Sequence, residues 1–263
     1  MMISKPQKGD RWSRDEMILV FNLYFQIPFR KYTNRTPEVI ALAQIMGRTP
    51  SSIALRLTNF ASCDPILQSE GIRGMDAHKK LCQPYWDEFF ENKEDLVFKS
   101  EQILAKYQET SIEAKYEKEL INIPHNLTGE TRMREVKTRV NQDFFRRMVL
   151  TNYNNKCALT GIDIPDLLVA SHIIPWASNE QERLNPKNGI CLSSLYDKAF
   201  DSGLISFKDN GLVIFSKRLK ANVGKDYFSK YFFPFESFVL VTPQRYYPNP
   251  LFLEWHRDEI FDK

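Results

Sequence analysis

Neither sign of charge dominates this chain. Its 263 residues carry 36 Lys and Arg against 33 Asp and Glu, a formal net charge of +3. Affinity for nucleic acid therefore cannot be argued from the total and has to come from local clustering. No apolar run approaches the roughly eighteen residues of a membrane span, so no membrane partner is expected. The opening MMISKPQKGDRW has no apolar core, so no secretory signal is read there. Cysteines number only four, Cys63, Cys82, Cys157 and Cys191, and they are widely spaced. Reduced thiols in a cytoplasmic protein are the expectation. No internal repeat or low-complexity tract is visible. What is plentiful is core material, with 19 Phe and 11 Tyr, enough for one large domain or two modest ones.

The first sixty residues read as three helices. WSRDEMILVFNLYF (12–25) is amphipathic, with Ser13 and Glu16 in capping-box spacing and Pro28 closing it. PEVIALAQIM (37–46) starts on a proline suited to a first turn and stops at Gly47. GRTPSSIALRLTNF (47–60) then restarts with Thr49 as cap and Pro50 at its first position. The tight link between the second and third helices gives a helix-turn-helix outline. Arg48, Ser51, Ser52, Arg56 and Asn59 have side chains suited to phosphates or base edges, and are the candidate DNA contacts. A loop-rich stretch (64–83) and a helical one (85–109) follow. The segment IPHNLTGETR (123–132) has turn composition and no periodicity, so the expected division is a helical module, 1–122, and a second domain, 123–263. Between Glu130 and Lys156 seven Lys and Arg face three Asp and Glu, a basic face either solvated or set along a phosphate backbone.

The candidate chemistry lies in LLVASHIIPW (167–176) and NGICLSSLYDKAFDSGLIS (188–206). Leu167 to Ala170 read as a buried strand that delivers His172 at its end. Asn188 sits in a turn signal, where its amide can orient a neighbouring imidazole or pin the loop. SSLYDKAFDSG reads as a helix with Ser193 or Ser194 at its start and Gly203 at its end, with Leu195, Ala199 and Phe200 packed behind. Asp197 and Asp201 fall at i and i+4, so both carboxylates share one side. Like charges one turn apart destabilise a helix unless a cation bridges them. Carboxylate oxygens without thiolates favour Mg²⁺ or Mn²⁺ over zinc.

Four strings here, Cys157-Ala158-Leu159-Thr160-Gly161, Ala170 to Trp176 (ASHIIPW), Asn188-Gly189 and Asp197 to Gly203 (DKAFDSG), resemble the HNH superfamily of ββα-metal nucleases, in its restriction-endonuclease branch. The resemblance spans about 139–206. It implies that His172 activates water, that Asn188 is the middle residue of the H-N-H pattern, that Asp197 stands where the last histidine usually does, and that Asp201 is a further ligand. Two departures are plain. Ser171 stands where a metal-binding Asp or His often precedes the base, and is at most a weak third ligand. Cys157 and Cys191 are single cysteines where many such domains carry two CxxC pairs, so no structural zinc is expected.

The resulting expectation is an α+β protein, a helix-turn-helix-like module joined to a ββα-metal nuclease domain with a β-rich, aromatic C-terminal extension. It would cut double-stranded DNA with one Mg²⁺ or Mn²⁺, in restriction or phage defence, as a homodimer if both strands are cut. Arg183, Lys187 and Lys198 are candidates for holding flanking phosphates, although Arg183 is equally well a solvated loop residue. Two alternatives stay open: a nuclease of RNA or structured DNA, and a non-catalytic DNA-binding regulator on a nuclease scaffold, which Ser171 favours. His78, His125 and His256 receive no role.

Overall fold

In a computed structural model of the chain, residues 9–69, 71, 78–116 and 129–262 are described. The chain divides into two compact units, Met1–Phe144 and Phe145–Lys263. The expected boundary at 122/123 and His125 both lie outside the described residues. No described helix is long and apolar enough to cross a membrane.

The first unit is helical. Its elements are α1 (Arg14–Tyr24), α2 (Pro37–Met46), α3 (Pro50–Ala61), α4 (Pro65–Ser69), α5 (Lys79–Phe89), α6 (Lys93–Tyr107), α7 (Ile112–Lys115) and the start of α8 (Gly129–Asn152). Local signals set the ends of the first three. Ser13 and Glu16 complete a reciprocal capping box on α1, which satisfies two backbone N–H groups that a helix start leaves unpaired. Gly47 ends α2 with φ +71°, a left-handed backbone that favours glycine. Thr49 accepts from Ser52 N to open α3. The helical stretch expected over 85–109 is two helices, because the Asn92 side chain accepts from Asp95 N and starts a new one. α1, α3 and α5 meet on aromatic rings, with Phe21 stacked on Phe60 at 4.5 Å between centroids and Trp86 at 5.4 Å from Phe21.

Of the expected DNA contacts, Arg48 precedes α3 and Ser51, Ser52, Arg56 and Asn59 lie on it. Arg48 makes a two-pronged bond to Glu16, at 2.7 and 2.9 Å, and donates to the carbonyls of Asp10 and Arg11. Arg56 and Asn59 are buried and bond one another. Both guanidiniums lie over the Trp12 ring, at 4.9 Å for Arg48 and 4.7 Å for Arg56. Glu16 offsets the desolvation of Arg48, and the Trp12 ring lies under both guanidiniums. Ser51 is exposed, and Ser52, partly exposed, donates its Oγ to Thr49 O.

The second unit begins on the last turns of α8, with Phe145, Met148 and Val149 buried. Then come β1 (Leu168–His172), β2 (Gly189–Ser193), α9 (Ser194–Asp201), β3 (Ile205–Phe207), β4 (Val213–Phe215), α10 (Lys217–Lys220), α11 (Asp226–Tyr231) and α12 (Pro250–Glu259). β1 and β2 pair antiparallel, with Leu168 opposite Ser193 and His172 opposite Gly189. β3 and β4 form a second small hairpin. Gly189 has to be glycine, since a Cβ there would meet Val149 Cγ2 at 2.4 Å and the Phe145 ring at 2.9 Å. That close approach lets the last turns of α8 lie against the strand pair. Gly203 ends α9 with φ +67°, and a Cβ there would stand 2.1 Å from the Ile260 carbonyl oxygen.

Cys157 is a core residue whose sulfur accepts the backbone N–H groups of Thr160 and Ser193. The C-terminal extension packs on the unit as expected, with Val241 N donating to Ala158 O and Asp262 N to Gly203 O. Its expected β-rich character does not hold. Beyond β4 the described residues contribute helices and one isolated bridge, Leu212 to Val239. Leu167 and Leu195 are exposed rather than packed. Tyr196, Ala199 and Phe200 form the buried face of α9.

Candidate active site

β1 and the residues that follow it, α9 and the C-terminal helix line a cleft of about 430 Å³. Its lining includes Ser171, His172, Trp176, Asp197, Asp201 and His256. The histidine and both acids named from the sequence thus share one concavity.

His172 is held on three sides. Its ring stacks on Phe145 at 3.7 Å and 12° between planes, and meets Trp176 edge-on at 5.5 Å. Its Nε2 lies 3.1 Å from the Arg183 carbonyl oxygen. A carbonyl only accepts, so Nε2 carries the hydrogen and Nδ1 keeps the lone pair. Burial pushes the ring's pKa down to about 4, and the Arg183 carbonyl opposes that shift. The imidazole is therefore neutral at physiological pH, with one nitrogen able to take a proton.

Asn188 is buried and its amide is spent on backbone. Oδ1 accepts from Ile174 N at 2.8 Å, and Nδ2 donates to the carbonyls of Ile174 and Glu182, both at 3.1 Å. Of its two sequence roles, this is the pin of the loop between β1 and β2. That loop carries Arg183, whose carbonyl is the partner of His172 Nε2. Nothing in the bonding of Asn188 leaves its amide free for reacting atoms.

Asp197 is half-buried on α9 and Asp201 sits at the exposed rim one turn later. Burial raises the Asp197 carboxyl above its ordinary range, against the pull of the Ser171 hydroxyl and Lys198. Burial also raises Asp201, and the Asp197 charge adds to it. Solvent screens the Asp201 shift because of its exposure. The two acids repel one another, as their spacing implies.

Ser171 Oγ is buried and has no hydrogen-bond partner, although it faces the Asp197 carboxylate closely enough to favour its charge. An orphaned hydroxyl beside two repelling carboxylates is a set of hard oxygen donors that a cation would satisfy. Among the described residues no cluster of three or more His, Cys, Asp or Glu is placed to hold a metal. The donor set suits a small, hard cation that keeps several waters and takes one or two carboxylates.

The other named residues take different places. The Arg183 guanidinium lies over Trp176 at 5.2 Å, donates to Trp176 O and pairs with Glu180. Its main-chain oxygen is the part that touches the histidine. Lys187 and Lys198 are exposed. Sequence reasoning passed over Phe145, the Arg183 carbonyl and His256. His256 stacks on Phe200 at 3.7 Å, with Nε2 against Phe200 O and Nδ1 against Ser206 Oγ. Both its nitrogens are engaged, so it braces α9 from behind. The ASHIIPW string was the one signal that could have pointed to aromatic walls around the imidazole.

Residues 157–208 match the family model described as HNH endonuclease. No curated protein matches the chain. The matched span holds both strands, the acidic helix and every candidate site residue of the cleft except Phe145 and His256. Nucleases of this kind use one divalent metal and act on nucleic acid. The chain carries an HNH endonuclease domain at residues 157–208 and is a phosphodiester hydrolase.

Proposed function

We propose that the chain is a DNA endonuclease dependent on Mg²⁺ or Mn²⁺, with His172 as general base and Asp197 and Asp201 as the metal ligands. The observation that carries this reading is the cleft, where an imidazole with a free Nδ1 shares one concavity with two repelling carboxylates. Nδ1 takes a proton from water as its oxygen bonds to phosphorus and the bond to the leaving 3′-oxygen breaks. The imidazolium so formed keeps its Nε2–H on the Arg183 carbonyl and lies on the face of Phe145, and both interactions favour its charge. Held by Asp197, Asp201 and the Ser171 hydroxyl, a divalent cation supplies stabilisation of the charge on the phosphate and the leaving oxygen. Lys198 and Lys187 are available to flanking phosphates. Restriction or phage defence and double-stranded DNA as substrate rest on the sequence resemblance, and a dimer follows if both strands are cut by one active site per chain.

Supercoiled plasmid and an RNA transcript of the same sequence test the reading, each with Mg²⁺, Mn²⁺ or EDTA. Nicked or linear plasmid with either metal, none in EDTA, and intact RNA are expected. Cutting that survives EDTA, or RNA cut as fast as plasmid, would overturn it.

The acid limb of the reaction follows from burial of the base. Only neutral His172 accepts a proton, and its pKa in the free enzyme is lowered to about 4. The rate is therefore lost as pH falls through that value. The kcat/KM profile, which reports free-enzyme groups, is expected to stay flat from pH 7 down to about 5.5. A drop centred near 6.5, the ordinary histidine value, would mean that the ring is solvated or is not the base.

A further inference from the structure

A second basic surface lies in the nuclease unit itself. From Lys217 to Tyr231 there are five basic residues, Lys217, Arg218, Lys220, Lys225 and Lys230, against one acid, Asp226. All five are exposed. Arg218 pairs with Asp262, whereas the four lysines make no ion pair with any described residue. Two of them are held by other means. The Lys225 ammonium lies 5.7 Å from the Tyr227 ring centroid and the Lys230 ammonium 5.2 Å from that of Tyr231. A ring beneath a cation positions it without cancelling its charge. Tyr227 is fixed in turn, its hydroxyl donating to Asn222 Oδ1.

This surface is tied to both ends of the acidic helix. At its beginning, Arg218 Nη2 donates to Ser202 O, one residue past Asp201, and Ser216 N donates to Leu204 O. At its end, the Tyr196 hydroxyl of α9 donates to Tyr231 O. The basic segment is therefore anchored to the helix that carries Asp197 and Asp201.

We infer that α10 and α11 are a phosphate-tracking surface for the nucleic-acid substrate, with Lys220, Lys225 and Lys230 meeting backbone phosphates beyond the scissile one. The inference rests on the nuclease reading above. Charge complementarity selects the occupant, since a polyanion that the unit already cuts is the partner a net-positive, acid-poor face will hold.

The test uses the full-length protein and two substrates. One is a labelled DNA duplex. The other is bis(p-nitrophenyl) phosphate, a diester too small to reach beyond the cleft. The triple variant Lys220→Glu, Lys225→Glu, Lys230→Glu and its milder Gln counterpart are compared with the unsubstituted protein. For the duplex, KM is expected to rise at least about tenfold with kcat within about twofold. The slope of log affinity on log salt is expected to shrink by about 0.9 for each phosphate that is no longer neutralised. Turnover of the small diester is expected to be unchanged, which also shows that both variants fold. Unchanged duplex KM and salt slope in both variants would overturn the inference. So would equal loss of turnover on both substrates. If the unsubstituted protein hydrolyses neither substrate with Mg²⁺ or Mn²⁺, the nuclease reading fails first. Loss of binding to phosphatidylserine vesicles with unchanged DNA affinity would reassign the face to a membrane.

Discussion

His172→Ala protein is expected to cut DNA about 10²–10⁴-fold more slowly than the unsubstituted chain, the range for removal of a general base, while binding the same DNA with unchanged affinity. The ring is neutral and its Nε2 is fixed by a carbonyl acceptor, which leaves the Nδ1 lone pair for a proton, whereas His256 spends both nitrogens on Phe200 O and Ser206 Oγ. Side chains proposed to hold phosphates, such as Lys198, are untouched by the change, so binding survives. Truncation leaves Phe145 without its stacked partner and the Arg183 carbonyl without its donor, and some stability goes with them. Thermal unfolding separates that effect from the catalytic one. Added imidazole supplies a reference: partial recovery of cleavage in the variant, with none in the unsubstituted protein, is the outcome for a missing base. Cutting at undiminished rate by pure variant would remove His172 from the chemistry.

Asp197→Asn and Asp201→Asn are expected to lower cleavage by about 10²–10³-fold, comparable to removal of one group that stabilises transition-state charge, and at the same time to stabilise the metal-free protein. The two effects have one origin. Both carboxyls are raised by burial, and the Asp197 charge raises Asp201 further. The folded state is thus penalised for their charges when no cation is bound. Removing one charge of a like pair at i, i+4 relieves about 0.2–0.5 kcal/mol, read as a higher Tm in EDTA. Addition of Mg²⁺ or Mn²⁺ should raise the Tm of the unsubstituted protein and leave the variants nearly unmoved, because a ligand stabilises only the form that binds it. A fall in Tm in EDTA for both variants would mean that the carboxylates hold α9 together rather than serving a cation.

The elements that could be read in advance share a cause. Ser13 with Glu16, Thr49 with Pro50, and the glycines at 47 and 203 each act within a few residues of their own backbone, so spacing alone exposes them. The first strand and the acidic helix were legible for the same reason, since the apolar run and the i, i+4 acids are local patterns, whereas the second strand, Gly189–Ser193, was implied only by the family resemblance. Failures came where a side chain had to choose between two environments. Arg56 and Asn59 look from spacing like a polar face of α3, but both are buried and bonded to one another, with Arg56 over the Trp12 ring, while Arg48 just ahead of the helix is paired with Glu16; nothing in the α3 sequence reports that. Leu195 reads as core by its type, although α9 buries the neighbouring stripe of Tyr196, Ala199 and Phe200. Contributions from the main chain leave no trace in residue types. The acceptor that sets the His172 tautomer is the Arg183 carbonyl, in a loop pinned by an Asn188 amide whose own partners are backbone. The arginine draws notice for its guanidinium, and the atom that matters is its oxygen.

The central claim is that Asp197 and Asp201 hold one cation in the cleft they share with the base. Anomalous scattering from crystals of the chain soaked in Mn²⁺ measures this directly. A single strong peak in that cleft is expected, within about 2.1 Å of a carboxylate oxygen of each acid, with His172 Nδ1 left unligated. A peak bonded to Nδ1 itself, or manganese bound only at other carboxylates, would contradict the account.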